Sequence, residues 1–209
     1  MAPVDLGAGY VFQPCGRQLV DGFLIPKAGL GGFLIPGLID EGVDVFSLRP
    51  RALPFWRIHR RHDGQVWGFF FAARPAAGNK CPAPGGCWVR YGREKAYYGQ
   101  DGGGGEPVAF MRRFAYRITW KGGAVSAPTR WRIKEYRLNT DAAAFRAAHP
   151  DPEAAGVVFV LHKVFRKAAP SPPRPPLVYC SESEEEEEEV VDQELDELVL
   201  DLRTLTEGK

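Results

Sequence analysis

The sequence predicts an α+β domain followed by an acidic, disordered tail, and three observations carry that prediction. Strand-length runs, apolar or alternating, recur at 66–73, 88–98, 108–120, 130–138 and 157–167. A short stretch near the N-terminus, 17–27, holds Leu19, Val20, Phe23 and Leu24 at helical spacing. Charge is segregated: residues 178–209 hold 13 acidic and 2 basic side chains, so the remainder of a chain with net charge +1 carries +12. A basic body implies a polyanionic partner, and an acidic tail implies a separate protein partner.

Taken in order, residues 8–14 read as an extended lead-in to the helix at 17–27. Gln18 stands three residues after Cys15, where a capping box places its Glu or Gln, and Pro26 is expected to end the helix. Residues 39–54 read as a helical turn and a proline-bounded connection. The apolar run at 66–73 is expected in the middle of a sheet. Residues 75–87, rich in Ala, Pro and Gly, read as a loop.

The stretch 86–98, GCWVRYGREKAYY, sets three cations, Arg90, Arg93 and Lys95, among strand-favouring aromatics with one acid, Glu94. A cationic strand is suited to an anionic partner. Alternation places Trp88 and Arg90 on one face and Val89, Tyr91 and Arg93 on the other, and Gly92 marks a site for a bulge. The glycine-rich 101–106 is expected as a turn. Two further strands follow, 108–120 with Arg112, Arg113 and Arg117, and 130–138, where Arg130, Arg132 and Lys134 alternate with Trp131 and Ile133. Residues 139–156 read as a surface excursion, 157–167 as a last buried strand and 170–176 as a proline-rich linker.

Other classes of function find less support. No apolar run approaches the roughly 18 residues that span a bilayer, and no secretory pattern opens the sequence, so an intracellular protein with no membrane partner is expected. Cys81 and Cys87, with His59 and His62 upstream, fit no common zinc spacing, and neither metal nor cofactor is expected. No nucleophile, base and orienting group assemble into an enzyme site. The aromatics around Tyr97 do not follow the RNP pattern of RNA-binding sheets.

In blocks, the chain resembles the NAC-domain plant transcription factors. Gly9-Tyr10-Val11-Phe12-Gln13-Pro14, continuing to Leu19-Val20, resembles the family's opening G-F-R-F-H-P…L-V. Trp67-Gly68-Phe69-Phe70 resembles W-Y-F-F, and Gly86 to Lys95 falls on G-Y-W-K-A-T-G-K-D-K. Val108 to Arg112 falls on V-G-x-K-K, Trp131 to Leu138 on W-I-M-H-E-Y-R-L, and Phe159 to Lys167 on W-V-L-C-R-V-F-K-K. The resemblance covers residues 8–167. It implies a twisted antiparallel sheet packed between short helices, with an edge strand at 88–95 entering the major groove of DNA whose targets carry a CGT or CACG core. Arg90, Tyr91, Gly92, Arg93 and Lys95 then fall at the groove, with Tyr91 as a base or thymine-methyl contact, and Arg112, Arg113, Lys121 and Arg130 on phosphates.

Two departures accompany the resemblance. The family's Lys-Ala-Thr is Val89-Arg90-Tyr91 here, which moves a cation to the other face of the strand. The family's dimer interface, which the resemblance lays on Tyr10, Val11, Phe12 and Gln18, lacks both halves of its ion pair, because Val11 and Gln18 stand where the family has Arg and Glu. Pairing as a homodimer, or as a heterodimer with NAC proteins, is then expected to be apolar, altered or absent.

The expected organisation is a DNA-binding domain at 8–167, a linker at 168–177 and a regulatory tail at 178–209. Within the tail, residues 181–205 join a glutamate run to Leu195, Leu198, Val199, Leu200 and Leu202, which suits a co-regulator or an intramolecular contact with the basic domain. The leading expectation is a nuclear, DNA-binding transcription regulator. Its alternative is an interaction module of the same fold that pairs with or titrates other regulators without reading DNA.

Overall fold

The computed structural model describes residues 11–55, 65–72, 75–99, 105–120, 125–150 and 160–168. Tyr10, Lys121, His59, His62, the glycines at 102–104, all of the expected linker except residue 168, and the whole tail lie outside the described residues.

Helix α1 (Gly16–Leu19) runs through a π-helical turn (Val20–Leu24) into α2 (Ile25–Lys27). The capping box is present: Gln18 Oε1 accepts the Cys15 backbone N–H at 2.9 Å. Pro26 does not end the helix, because the wider π spacing just before it absorbs the hydrogen bond that its missing N–H would have made. Termination comes three residues later, at Gly29 with φ +69°. There the Leu30 N–H donates to Ile25 O at 3.2 Å and the Gly29 N–H to Pro26 O at 3.0 Å, the paired bonds of a Schellman motif.

Among the described residues, six strands form one antiparallel sheet: β1 (Val66–Ala72), β2 (Lys80–Ala83), β3 (Gly86–Tyr98), β4 (Pro107–Thr119), β5 (Val125–Leu138) and β6 (Val160–Arg166). Their spatial order is β1-β6-β5-β4-β3-β2. One face of the sheet receives Leu19, Val20, Phe23 and Leu24 from the helical segment, against Phe69, Met111, Tyr136 and Leu161. Full burial of each such side chain contributes about 1.5–3 kcal/mol before conformational entropy is counted. Phe145, from the short helix α3 (Ala143–Ala148), joins the same cluster, so the stretch expected as a surface excursion contributes to the core.

The opposite face, Phe70, Trp88, Phe114, Ile133 and Val164, is covered by Val45 and Leu53 from the irregular segment before β1. Its helical part is a single 3-10 turn, Pro50–Ala52. The sheet is therefore packed against helix on one face and mainly against loop on the other, a partial correction to the expected arrangement.

Two strand placements also differ from expectation. β1 is an outer strand of the sheet, and its apolar run reflects cover on both faces. Its free edge is bridged by Asp40, whose N–H donates to Phe69 O at 3.0 Å and whose carbonyl accepts the Phe71 N–H at 2.8 Å. Within the stretch expected as a loop, Lys80–Ala83 forms β2 and pairs with Gly86–Val89. Pro82 is tolerated there because β2 is an edge strand.

Candidate nucleic-acid interface

β2 shields only the first half of β3. Beyond Arg90, whose N–H still donates to Asn79 O at 2.8 Å, no strand of the described residues pairs with the outer edge of β3. The inner edge follows β4, with Tyr91 opposite Arg113 and Lys95 opposite Met111. Three residues, Gly92, Arg93 and Glu94, thus oppose the single residue Arg112, and the chain bulges outward. Gly92 takes φ +63° at the start of that bulge, a conformation that a side chain makes costly.

The bulge separates the charges. Arg93 and Lys95 are exposed and Arg90 is half-buried. Glu94 turns inward to Arg137 on β5, its Oε2 2.8 Å from Arg137 Nη2. The acid of the RYGREK stretch is thereby drawn to a cation of the sheet, and the open edge presents Arg93 and Lys95 at a break in the backbone ladder.

Trp88 and Tyr91 fall on opposite faces, as alternation requires. Trp88 packs edge-on against Tyr116 at 5.2 Å between ring centroids. Tyr91 is 7% exposed, with the guanidinium carbons of Arg113 and Arg132 at 5.9 and 5.8 Å from its ring centroid. Its assignment to a base contact is corrected, because the phenol serves as a platform for two cations inside the sheet face.

Arg112 is also removed from the phosphate-contacting set. It is 8% exposed, and its Nε donates to Glu135 Oε1 at 2.9 Å while Nη2 donates to Ala76 O at 3.2 Å. Glu135, fully buried, accepts the Ala76 N–H at 2.6 Å and lies 3.1 Å from His162 Nε2. Burial by itself would raise the Glu135 carboxyl. The His162 hydrogen bond and charge, the Ala76 amide and Arg112 together outweigh burial and hold it at about 2.

Arg113 belongs to a row that sequence reasoning missed as a unit. The register sets Tyr91, Arg113, Lys134, Lys163 and Phe69 directly beside one another across five strands. Arg113 and Lys163 lie over the rings at the two ends of the row, Tyr91 and the fully buried Phe69. The signal was present as alternating cations within single strands, but only the register shows that the strands align them. Arg130 is placed elsewhere, at the wall of a cavity with Arg49, Arg51 and Arg166.

For the dimer positions, Phe12 is engaged inside the domain. Its ring meets Phe69 at 5.1 Å and Phe23 at 5.5 Å, and its carbonyl accepts the Trp67 Nε1–H at 2.9 Å. Phe12 is half-buried, with these contacts on its inner side. Gln18 is exposed but spends its side-chain oxygen on the Cys15 cap, and Val11, 49% exposed, presents an apolar surface.

Fold and edge together define a β-sheet module with a bulged, cationic open strand. A model of the family described as "No apical meristem (NAM) protein" matches residues 7–138, more than half of the chain, and the chain belongs to that family, the NAC-domain family. Its members are DNA-binding transcription regulators rather than enzymes; they dimerise and are generally nuclear. Comparison with curated proteins finds no match to this chain. The matched range stops at the end of β5, while β6 completes the same sheet between β1 and β5.

Proposed function

We propose that this chain is a nuclear, sequence-specific transcription regulator that seats the bulged half of β3, within residues 88–95, in the major groove of double-stranded DNA with a CGT- or CACG-type core. One observation carries this reading: Arg93 and Lys95 are exposed on an open strand edge from which Glu94 has been drawn away to Arg137. A sheet edge fits the major groove. Arg90, Arg93 and Lys95 contact the duplex around Gly92, and Arg113 adds positive potential beside them. The test is fluorescence anisotropy of the full chain with a core duplex and a scrambled duplex. Base readout gives tighter and less salt-dependent binding to the core duplex, and Arg93→Ala or Lys95→Ala weakens it.

A second reading, an interaction module that pairs with other NAC proteins without reading DNA, is favoured by the burial of Tyr91 and the internal pairing of Arg112, which leave one aromatic and one cation fewer for the duplex. Exposed Val11 offers it an apolar contact for a homo- or heterodimer. It predicts equal, steeply salt-dependent binding to both duplexes. In either reading, residues 181–205 engage a co-regulator through their acidic and leucine-bearing composition.

A further inference from the structure

Arg49, Arg51, Arg130 and Arg166 line a cavity of about 570 Å³. Tyr116 and Trp131, also part of its lining, belong to the core cluster that holds Phe70, Trp88 and Phe114. Three separate segments bring the arginines together. Pro50 is buried and anchors the 3-10 turn, which closes with an Ala52 N–H to Arg49 O bond of 2.8 Å, so the exposed arginines flanking it stand at the rim. Arg166 is paired opposite Trp131, and the Lys167 N–H donates to Arg130 O at 2.9 Å, which fixes the ends of β5 and β6 beside each other. Gly85 leaves room for the rim: a Cβ there would lie 3.3 Å from Arg49 Nε.

The ion pairs of the described residues engage none of these four guanidinium groups. The Arg166 guanidinium holds its proton less tightly than usual, first through partial burial and then through the charges of Arg130 and Arg51. Convergent like charges around one cavity are stabilised by a ligand that supplies several negative charges at once. A lone carboxylate offers one charge and one pair of oxygens. Clustered phosphates match several planar guanidinium forks, and the volume admits more than one phosphate group.

We infer that this cavity binds clustered phosphate groups, carried either by a small polyphosphorylated molecule or by consecutive backbone phosphates of a nucleic acid. The site is separate from the β3 edge, and it gives Arg130 a phosphate-binding role in company with three arginines from other segments.

The test is calorimetric titration of the full chain with sodium tripolyphosphate, against sodium sulfate at matched ionic strength. Saturable binding to one site is expected for tripolyphosphate. The double variant Arg49→Gln/Arg51→Gln changes two exposed rim residues, so folding is retained, and it should weaken binding at least about tenfold. Arg93→Ala, at the β3 edge, should leave it unchanged. An excess of duplex distinguishes the sources: displacement of tripolyphosphate identifies backbone phosphates, and undiminished binding identifies a free polyphosphorylated ligand. No saturable binding beyond that of sulfate, or equal affinity in the double variant, overturns the inference. Either result leaves base readout by β3 standing, because that is read from the difference between core and scrambled duplexes.

Discussion

Glu94 reaches across the sheet to Arg137, 2.8 Å from its guanidinium, and this contact decides the charge of the edge that β3 presents. An acid between Arg93 and Lys95 would cancel half of their potential. Tied to β5, it leaves the edge cationic. Glu94→Ala should therefore tighten duplex binding about threefold at low salt, and Arg137→Ala, which releases the carboxylate, should weaken it. Anisotropy titrations of both variants check the direction; weaker binding by Glu94→Ala would contradict it.

Arg90 and Arg112 are arginines of the neighbouring strands β3 and β4, yet opposite phenotypes are expected. Arg90→Ala should lower specific affinity by about 1–3 kcal/mol with stability nearly unchanged. Arg112→Ala takes the guanidinium partner from buried Glu135 and should destabilise the fold by about 3–5 kcal/mol. Denaturant titrations alongside duplex binding separate the two, and a stable Arg112→Ala protein would refute the buried-pair assignment.

Acid should unfold the domain through Glu135. Its carboxyl titrates at about 2 in the folded protein, below the ordinary 4.5, so the folded state holds the charged form. The unfolded chain takes up this proton first. Glu135 thus contributes its full stabilisation above pH 4.5, and the contribution is lost as the pH falls towards 2. The denaturation midpoint should drop across that window, and Glu135→Gln should flatten the drop while lowering stability at neutral pH.

Gly92 is expected to resist substitution. At φ +63°, Gly92→Ala places a side chain in the left-handed region and should cost about 1–2 kcal/mol, with loss of discrimination between duplexes as the bulge shifts. Chemical denaturation and anisotropy on the same variant report both effects.

The legible parts of the fold were local. The helix start at Cys15 and Gln18, the run of β1, the alternation of Trp88 against Tyr91 and the bulge at Gly92 each follow from periodicity or from the conformations that one residue type permits. The outer position of β1 was hidden, because burial on both faces looks the same in sequence whether it comes from neighbouring strands or from covering helix and loop. Tyr91 and Arg112 were misplaced because an aromatic or a cation in a basic strand reads as available until its cross-strand partners are known. Those partners, Arg132 and Glu135, lie on β5. The four-arginine cavity left no signal at all, since its members come from a loop and two strand ends far apart in the chain.

The most direct measurement of the central claim is the ratio of affinities of the full chain for a CGT-core duplex and its scrambled counterpart, taken by anisotropy at two salt concentrations, for the natural sequence and for Arg93→Ala. Readout by the β3 edge predicts a ratio well above one that persists at higher salt and collapses in Arg93→Ala. A ratio of one at both salts, with affinity falling equally for the two duplexes, would show charge without readout and contradict the account.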